Sequence, residues 1–335
     1  MYKSAPINSV SDLAAKPKTL RKSYLRVPPS QQPNRIHKLG RTLIGAALSP
    51  LYWILARLYG GPGLTFRSRC ALMGLKLLFK RQGSLSPSDF FRLLFWPIDS
   101  VRYFEFDFMW ETLSKLRLSS YLDISSPRMF PLVFLSGHPD ITAELVNPDK
   151  ADLEITRKFI TACGLDPQCQ LGSLLIEDLP FAHESFDAVT SISVVEHIHE
   201  DKKAIENIWR LVKPGGRLLL SVPCAAIAEE EYMDADFYGV QTAREKDFLF
   251  HQYKYDQNLL EERIYCVTGC PKRYAIYGEK IAGTLQSWLT KQWAREIYPR
   301  WKEPYAVARA FQYYESLGDL PGDGVIAMEF VKPNL

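Results

Sequence analysis

The sequence predicts an α/β fold: a doubly wound sheet of parallel strands, with a helical, basic extension in front of it. Three observations carry that expectation. From about Tyr121 onward, short apolar runs alternate with stretches of helical period, and strands separated by helices of that length are joined by right-handed crossovers into a parallel sheet. The 335 residues are 47% hydrophobic and 13% aromatic, enough to bury a large core in one domain or two. Charge is unevenly placed. Residues 1–102 hold seventeen Lys and Arg against Asp12, Asp89 and Asp99, a balance of +14, so with an overall charge of +3 residues 103–335 carry −11.

Residues 1–40 are rich in Pro, Ser and basic side chains and lack a sustained apolar period, so they read as a disordered basic arm, with an organelle transit peptide as the alternative. Residues 41–102 read as a helical, apolar and basic segment. In "TLIGAALSPLYWILARLYGG" the apolar run is interrupted by Pro50 and stops at Arg57, short of the ~20 residues a bilayer span needs. A helix lying in the membrane interface is expected instead, with Tyr52 and Trp53 at headgroup depth and Arg41, Arg57, Arg67 and Arg69 toward anionic lipid. The competing reading is that this segment and the aromatic run "DFFRLLFWPIDSVRYFEFDFMW" simply cover the apolar surface of the domain that follows. The aromatics cluster with Leu and Ile rather than interleaving with Lys and Arg, so no nucleic-acid partner is expected.

Residues 103–335 hold the α/β pattern. "SSYLDIS", "DITAELV", "FDAVTSISVV" and "GRLLLSVP" are the strands. Between the last two, Ile205, Ile208, Trp209 and Val212 recur at helical spacing, and Gly215 with Gly216 is expected to end that helix after Pro214. Ligands of such sheets bind at the carboxyl ends of the strands. The strand over residues 186–195 then delivers Glu196 and His197 to the ligand rim. The six cysteines show no paired spacing and no secretory cleavage signal precedes them, so a reducing, cytoplasmic setting is expected, peripheral on the membrane if the extension docks there. Cys266 and Cys270 in "CVTGC" lack a second Cys or His pair; no metal site is expected, and they read as small core residues.

The segment "EDLPFAHESFDAVTSISVVEHIHEDKKAIENIWRLVKPGGRLLLSVP", residues 177–223, resembles class I S-adenosylmethionine-dependent methyltransferases of the small-molecule, type 11-like kind. Leu-Pro-Phe, Ser-Phe-Asp, Glu-His and Leu-Val-Lys-Pro-Gly-Gly occur in that family's order and spacing. "YLDIS" fits its first strand and "GVIAMEFVKP" its last, antiparallel one. The resemblance implies a seven-stranded Rossmann-like sheet, S-adenosylmethionine as cofactor, and methyl transfer to a small-molecule or lipid- or glycan-linked acceptor. It also implies the site: Asp123 closing the first strand, Ser125 and Ser126 in the following turn, Asn147 or Asp149 at the ribose, Glu177 and Asp178 near the adenine, and Ser191 and Ser193 on the central strand. Glu196 and His197 are the candidates for chemistry, with a packed rim histidine as the other reading of His197. His251, Tyr253 and Tyr255 are acceptor-side candidates by position alone.

One departure stands out. The family pattern after the first strand is Asp-x-Gly-x-Gly, whereas this chain has "LDISSPRMFPL" with no glycine. Serine is expected to serve there only with negative φ. The missing glycines also admit a cofactor-binding but catalytically silent domain, or a membrane-docked interaction protein that keeps only the fold.

Overall fold

The computed structural model describes residues 20–28, 35–80, 85–96, 98–236, 239, 243–293 and 300–334. Most of the expected arm, residues 1–19 and 29–34, lies outside them. The extension is helical: α1 (Arg35–Leu58), α2 (Leu64–Phe79) and α3 (Pro87–Phe95) precede α4 (Arg102–Leu113). Pro87 and the Ser86–Asp89 capping box start α3, satisfying amide groups that the first turn leaves unpaired.

The four expected strands form at β2 (Ser120–Ile124), β3 (Thr142–Val146), β5 (Phe186–Ile192) and β6 (Val212–Cys224). They are interleaved with α5 (Met129–Leu135), α6 (Lys150–Cys163) and α7 (Asp201–Leu211). A short β4 (Cys169–Gly172) pairs parallel with β3. The extended run begins at Val212, so Pro214, Gly215 and Gly216 open a strand rather than close a helix. Ser-Phe-Asp has a structural reason. Asp187 accepts hydrogen bonds from the backbone amides of Ser119 and Ser120 and from Lys213 Nζ, tying the starts of β2, β5 and β6 together.

Alternation along the strands sorts side chains to two cores. Tyr121, Ala188 and Leu219 face a layer containing α2, α4, α5 and α6, while Leu122, Val189 and Leu218 face α7 and the residues around Leu260. Helices on both faces of parallel strands make the sheet doubly wound.

The main sheet has eight strands in the described residues, not seven. Adding β10 (Arg273–Glu279), β11 (Phe311–Tyr314) and β12 (Gly324–Val331), the order is β11-β10-β12-β6-β5-β2-β3-β4, with β12 antiparallel to both neighbours and β11 extending the edge beyond β10. A second sheet was not anticipated. It runs β1-β7-β9-β8 and comprises β1 (Arg21–Leu25), β7 (Glu229–Met233), β8 (Arg244–Glu245) and β9 (Phe248–Lys254). Part of the arm expected to be disordered is therefore a strand. Arg21 and Lys22 sit opposite Glu229 and Glu230 in parallel register, so the basic strand closes an acidic edge.

The aromatic run covers the sheet. Phe104, Phe106, Phe108 and Met109 of α4 are fully buried, and Phe104 stacks on Tyr277 with ring centroids 5.2 Å apart. Phe66, Cys70, Met73 and Leu77 of α2 belong to the same core, which runs without a break across the expected boundary at residue 102. Three expectations for the extension are corrected. Tyr52 packs on Trp301 and Tyr305, and Arg67 is buried, stacked 3.5 Å above the Trp53 ring with Nη2 donating to Phe95 O, so none of Tyr52, Trp53 and Arg67 faces outward. The side chain of Arg41 lies outside the described residues. Cys266 and Cys270 are exposed, not core.

Candidate active site

A cavity of about 1010 Å³ lies at the carboxyl ends of β2, β3 and β5. Its floor is the turn after β2. Ser125 has φ +51°, the left-handed region where glycine is favoured, so the chain follows a glycine-type path with a serine, against the expectation of negative φ. The turn is held from several sides. Ser125 N donates to Val146 O, Ser126 N donates to Asp123 Oδ1, and Ile192 N donates to Ser126 Oγ. Asp123 itself does not line the cavity. Its Oδ2 accepts from Thr190 Oγ1 at 2.6 Å and Tyr121 OH at 3.1 Å, and burial pushes its carboxyl up to about 6. It fastens the turn from below.

The second wall is the loop from β3 to α6. Asn147 and Asp149 line the cavity but also order their own loop: Asn147 Oδ1 accepts from Asp149 N, and Asp149 caps α6 through Ala151 N and Asp152 N. Arg128, directly after the serine turn, reaches across to Asp152, which also accepts from Asn147 Nδ2. The Arg128 Nε is buried with no acceptor among the described residues, and burial together with neighbouring Arg92 lowers its pKa. Glu177 lines the third side; Asp178, next to it, does not.

The last side is the end of β5. Ser193, with φ +49°, lines the cavity and donates to Glu105 of α4, a fully buried carboxylate that also accepts from Ser221 Oγ and pairs with Arg102 at 3.0 Å. Ser191 is buried away from the cavity, its hydroxyl without a partner among the described residues. Glu196 is also behind the wall; burial pushes its carboxyl up to about 8, and its Oε2 has no hydrogen-bond partner among the described residues. His197 does line the cavity, yet burial and His251 push its imidazole down to about 3. Tyr253 and Tyr255 spend their hydroxyls on His199 O and Asp201 Oδ2, which makes them packing residues.

The cavity thus brings together Ser125, Ser126, Asn147, Asp149, Glu177, Ser193 and His197, and leaves Asp123, Asp178, Ser191 and Glu196 outside it. Sequence reading missed Arg92, Arg102, Glu105 and Arg128. The available signal was the pair of acids, Glu105 and Asp107, in the aromatic run "YFEFDF" and a lone base in the "SSPRMFP" turn.

Residues 138–220 match the family model described as a methyltransferase domain. Over that stretch the chain is similar to methyltransferase domains. The matched stretch runs from before β3 into β6 and holds Asn147, Glu177, Ser193 and His197, whereas Asp123 and the serine turn precede it. The chain is similar to the methyltransferase GfsG of Streptomyces halstedii, 25% identical over 30% of this chain and 36% of that protein. It is also similar to the ubiquinone/menaquinone biosynthesis C-methyltransferase UbiE of Pseudoalteromonas translucida (strain TAC 125), 33% identical over 26% of this chain and 35% of that protein. The chain spans about a third of the length of these curated relatives. Among solved structures, geranyl diphosphate methyltransferase in complex with SAM aligns at 13% identity over 69% of this chain and 86% of that one, with a TM-score of 0.44.

Proposed function

We propose that the cavity binds S-adenosylmethionine and that the chain transfers a methyl group to a small-molecule acceptor, lipid-borne rather than freely soluble. The observation that carries the reading is the Ser125–Ser126 turn: it keeps the left-handed path at a position where the family has glycine, and it opens onto a cavity between the ends of β2, β3 and β5. The residues fit such a cofactor. The serine turn and Arg128 would meet its amino-acid end, Asn147 and Asp149 its ribose, and Glu177 its base.

The cofactor supplies a methyl already activated on a sulfonium, so the protein's task is alignment and exclusion of water. On this reading Glu105, through Ser193 and Ser221, fixes the wall beside the acceptor, and Leu93, Trp96, Ile98 and Phe106 give that side an apolar lining. A quinone-like acceptor is supported by that lining and by the names of the curated relatives; a lipid-linked glycan shares the same access. α3 connects the cavity to the extension, since Leu93 lines the one and approaches Gly74 of α2 so closely that an added Cβ there would lie 2.9 Å from its own. The chain then works at the cytoplasmic surface of a membrane as a peripheral protein; no described helix is long and apolar enough to cross one.

One observation favours a second reading, a silent cofactor-binding domain: His197 is a weak base and Glu196 is withdrawn from the cavity. Calorimetry with S-adenosylhomocysteine, followed by transfer of labelled methyl from S-adenosylmethionine to extracted lipids, separates the two. Binding with labelled lipid supports the methyltransferase; binding without any labelled product supports the silent domain. No binding sinks both.

A further inference from the structure

We propose that the outward faces of α1 and α2 form a docking surface for an anionic lipid bilayer. The inference rests on the peripheral placement proposed above and adds the face that makes contact.

On α1, Leu43, Ile44, Leu48, Leu51, Ile54 and Leu58 are all exposed, Leu58 to 76%. At 3.6 residues per turn these six fall within one arc of about 140°. The opposite side is the one that packs: Gly45, Ser49 and Ala56 are buried there, and Tyr52 and Trp53 are half-buried. A surface helix of a water-soluble protein normally turns its aliphatic side chains inward. Here small and aromatic residues face in and the aliphatic ones face out. α2 repeats the arrangement: Phe66, Cys70, Met73 and Leu77 are in the core, while Leu72, Leu75, Leu78 and Phe79 are exposed, Phe79 to 83%. Contiguous apolar surface of this kind marks an interaction site rather than ordinary scatter.

Charge selects the occupant. No Asp or Glu occurs between Asp12 and Asp89, and exposed Arg57, Arg69, Lys76 and Lys80 border the apolar positions. A second copy of the chain meeting this face would oppose base to base. An anionic bilayer offers acyl chains to the leucines and phosphate to the bases, the pairing that holds an amphipathic helix in the interface plane. The same residues explain why Trp53 and Arg67 are not the contact: Arg67 joins α2 to Ser49 of α1 and stacks on Trp53, so both are spent on holding the two helices together.

The test uses the full chain with vesicles of phosphatidylcholine and phosphatidylserine. The wild type is expected to sediment with them at low salt and to be released progressively as salt rises, because exposed charge pairs are screened within about 10 Å at 0.1 M. The Ile44→Ser, Leu51→Ser, Leu58→Ser triple variant, altered only at exposed positions, should lose about tenfold or more in partitioning. The Lys76→Glu, Lys80→Glu pair should lose binding at low salt and gain little from neutral vesicles. Both variants should keep the wild-type melting temperature and the wild-type affinity for S-adenosylhomocysteine, so failure of docking is distinguishable from failure of the cofactor reading. Wild-type protein left in the supernatant overturns the proposal. So does a triple variant that sediments like wild type, since the basic amino terminus would then act without this face. Concentration-dependent self-association abolished by the triple variant, with no vesicle binding, overturns it in favour of a protein interface.

Discussion

His197 Nδ1 lies 2.7 Å from the main-chain oxygen of His251, so one imidazole ties the rim of the cavity to β9 of the second sheet. In that bond Nδ1–H donates and the ring is neutral. The two rings are 5.2 Å apart, and protonating either one is opposed by burial.

The first prediction follows from this contact. His197 and His251 sit at about 3 and about 4, below the ordinary value of 6.5. The unfolded chain therefore takes up protons that the folded chain refuses, and their contribution to stability is lost as pH falls from about 6.5 toward about 4 for His251 and about 3 for His197. His197→Ala should lower the melting temperature at pH 7 while leaving turnover per folded molecule unchanged. It should also flatten the acid side of the stability curve, by at most about 1.4 kcal/mol per pH unit. A hundredfold loss of turnover with unaltered stability would instead make His197 a general base.

Glu196 acts in the opposite sense. Its folded-state pKa, about 8, is raised above the ordinary 4.5, so stability present below pH 4.5 is lost as pH climbs through 8. Glu196→Gln, which keeps the shape and removes the ionisation, should be more stable than wild type at pH 8. The advantage should vanish near pH 4.5. Denaturant titrations at both values decide it, and a difference that does not change with pH would show that the buried carboxyl does not titrate as described.

The strands, their order of appearance and the helix between β5 and β6 were legible because hydrophobic period records burial directly. β1 and β7 were not: "RKSYL" and "EEEYM" have the composition of solvated segments, and their order comes from pairing that is distant in sequence, β7 between β9 and β1, with Arg21 and Lys22 opposite Glu229 and Glu230. The site was legible as a set of strand ends, since a sheet of this type puts its ligand there. Which side chain on each end turns toward the cavity was not. Asp123 and Ser125 are two residues apart, yet one is buried in a hydroxyl cluster and the other sits on the cavity floor. The contribution of α4 was hidden for a different reason: nothing in the aromatic run separates Glu105 from Asp107 two residues on, and the partners of Glu105, Ser193 and Ser221, lie 88 and 116 positions away.

The turn after β2 yields the third prediction. Ser125→Gly relieves a left-handed serine and should leave stability equal or raise it by about 0.5–1 kcal/mol. Ser125→Val, with a β-branched side chain at φ +51°, should destabilise the protein and weaken S-adenosylhomocysteine binding together. Asp123→Ala strands the Ser126 amide and leaves the Thr190 and Tyr121 hydroxyls only each other, so it should cost stability as well as affinity, about 1–3 kcal/mol in total. Calorimetry paired with thermal melts reads both effects. Lost affinity with an unchanged melt would show that Asp123 touches the ligand directly rather than through the turn.

Arg128 supports the last prediction. It lines the cavity beside the serine turn, pairs with Asp152, and among the described residues keeps a buried Nε–H without an acceptor; Arg92, on the same cavity, has no ion-pair partner among them. Two guanidinium groups turned to one space favour a carboxylate between them, and on the proposed reading that carboxylate is the amino-acid end of the cofactor. Arg128→Gln should therefore weaken S-adenosylhomocysteine by about tenfold or more, a charge-assisted hydrogen bond being worth about 1.5–3 kcal/mol. Decarboxylated S-adenosylmethionine, which lacks that group, should bind the wild type weakly and the variant equally weakly. The ratio of the two affinities is the informative quantity. If the variant loses both ligands in proportion, Arg128 serves only to join the turn to α6 through Asp152. If it loses neither and the Michaelis constant for the acceptor rises instead, the anion belongs to the acceptor, and the cofactor's carboxylate is held by the backbone of the serine turn.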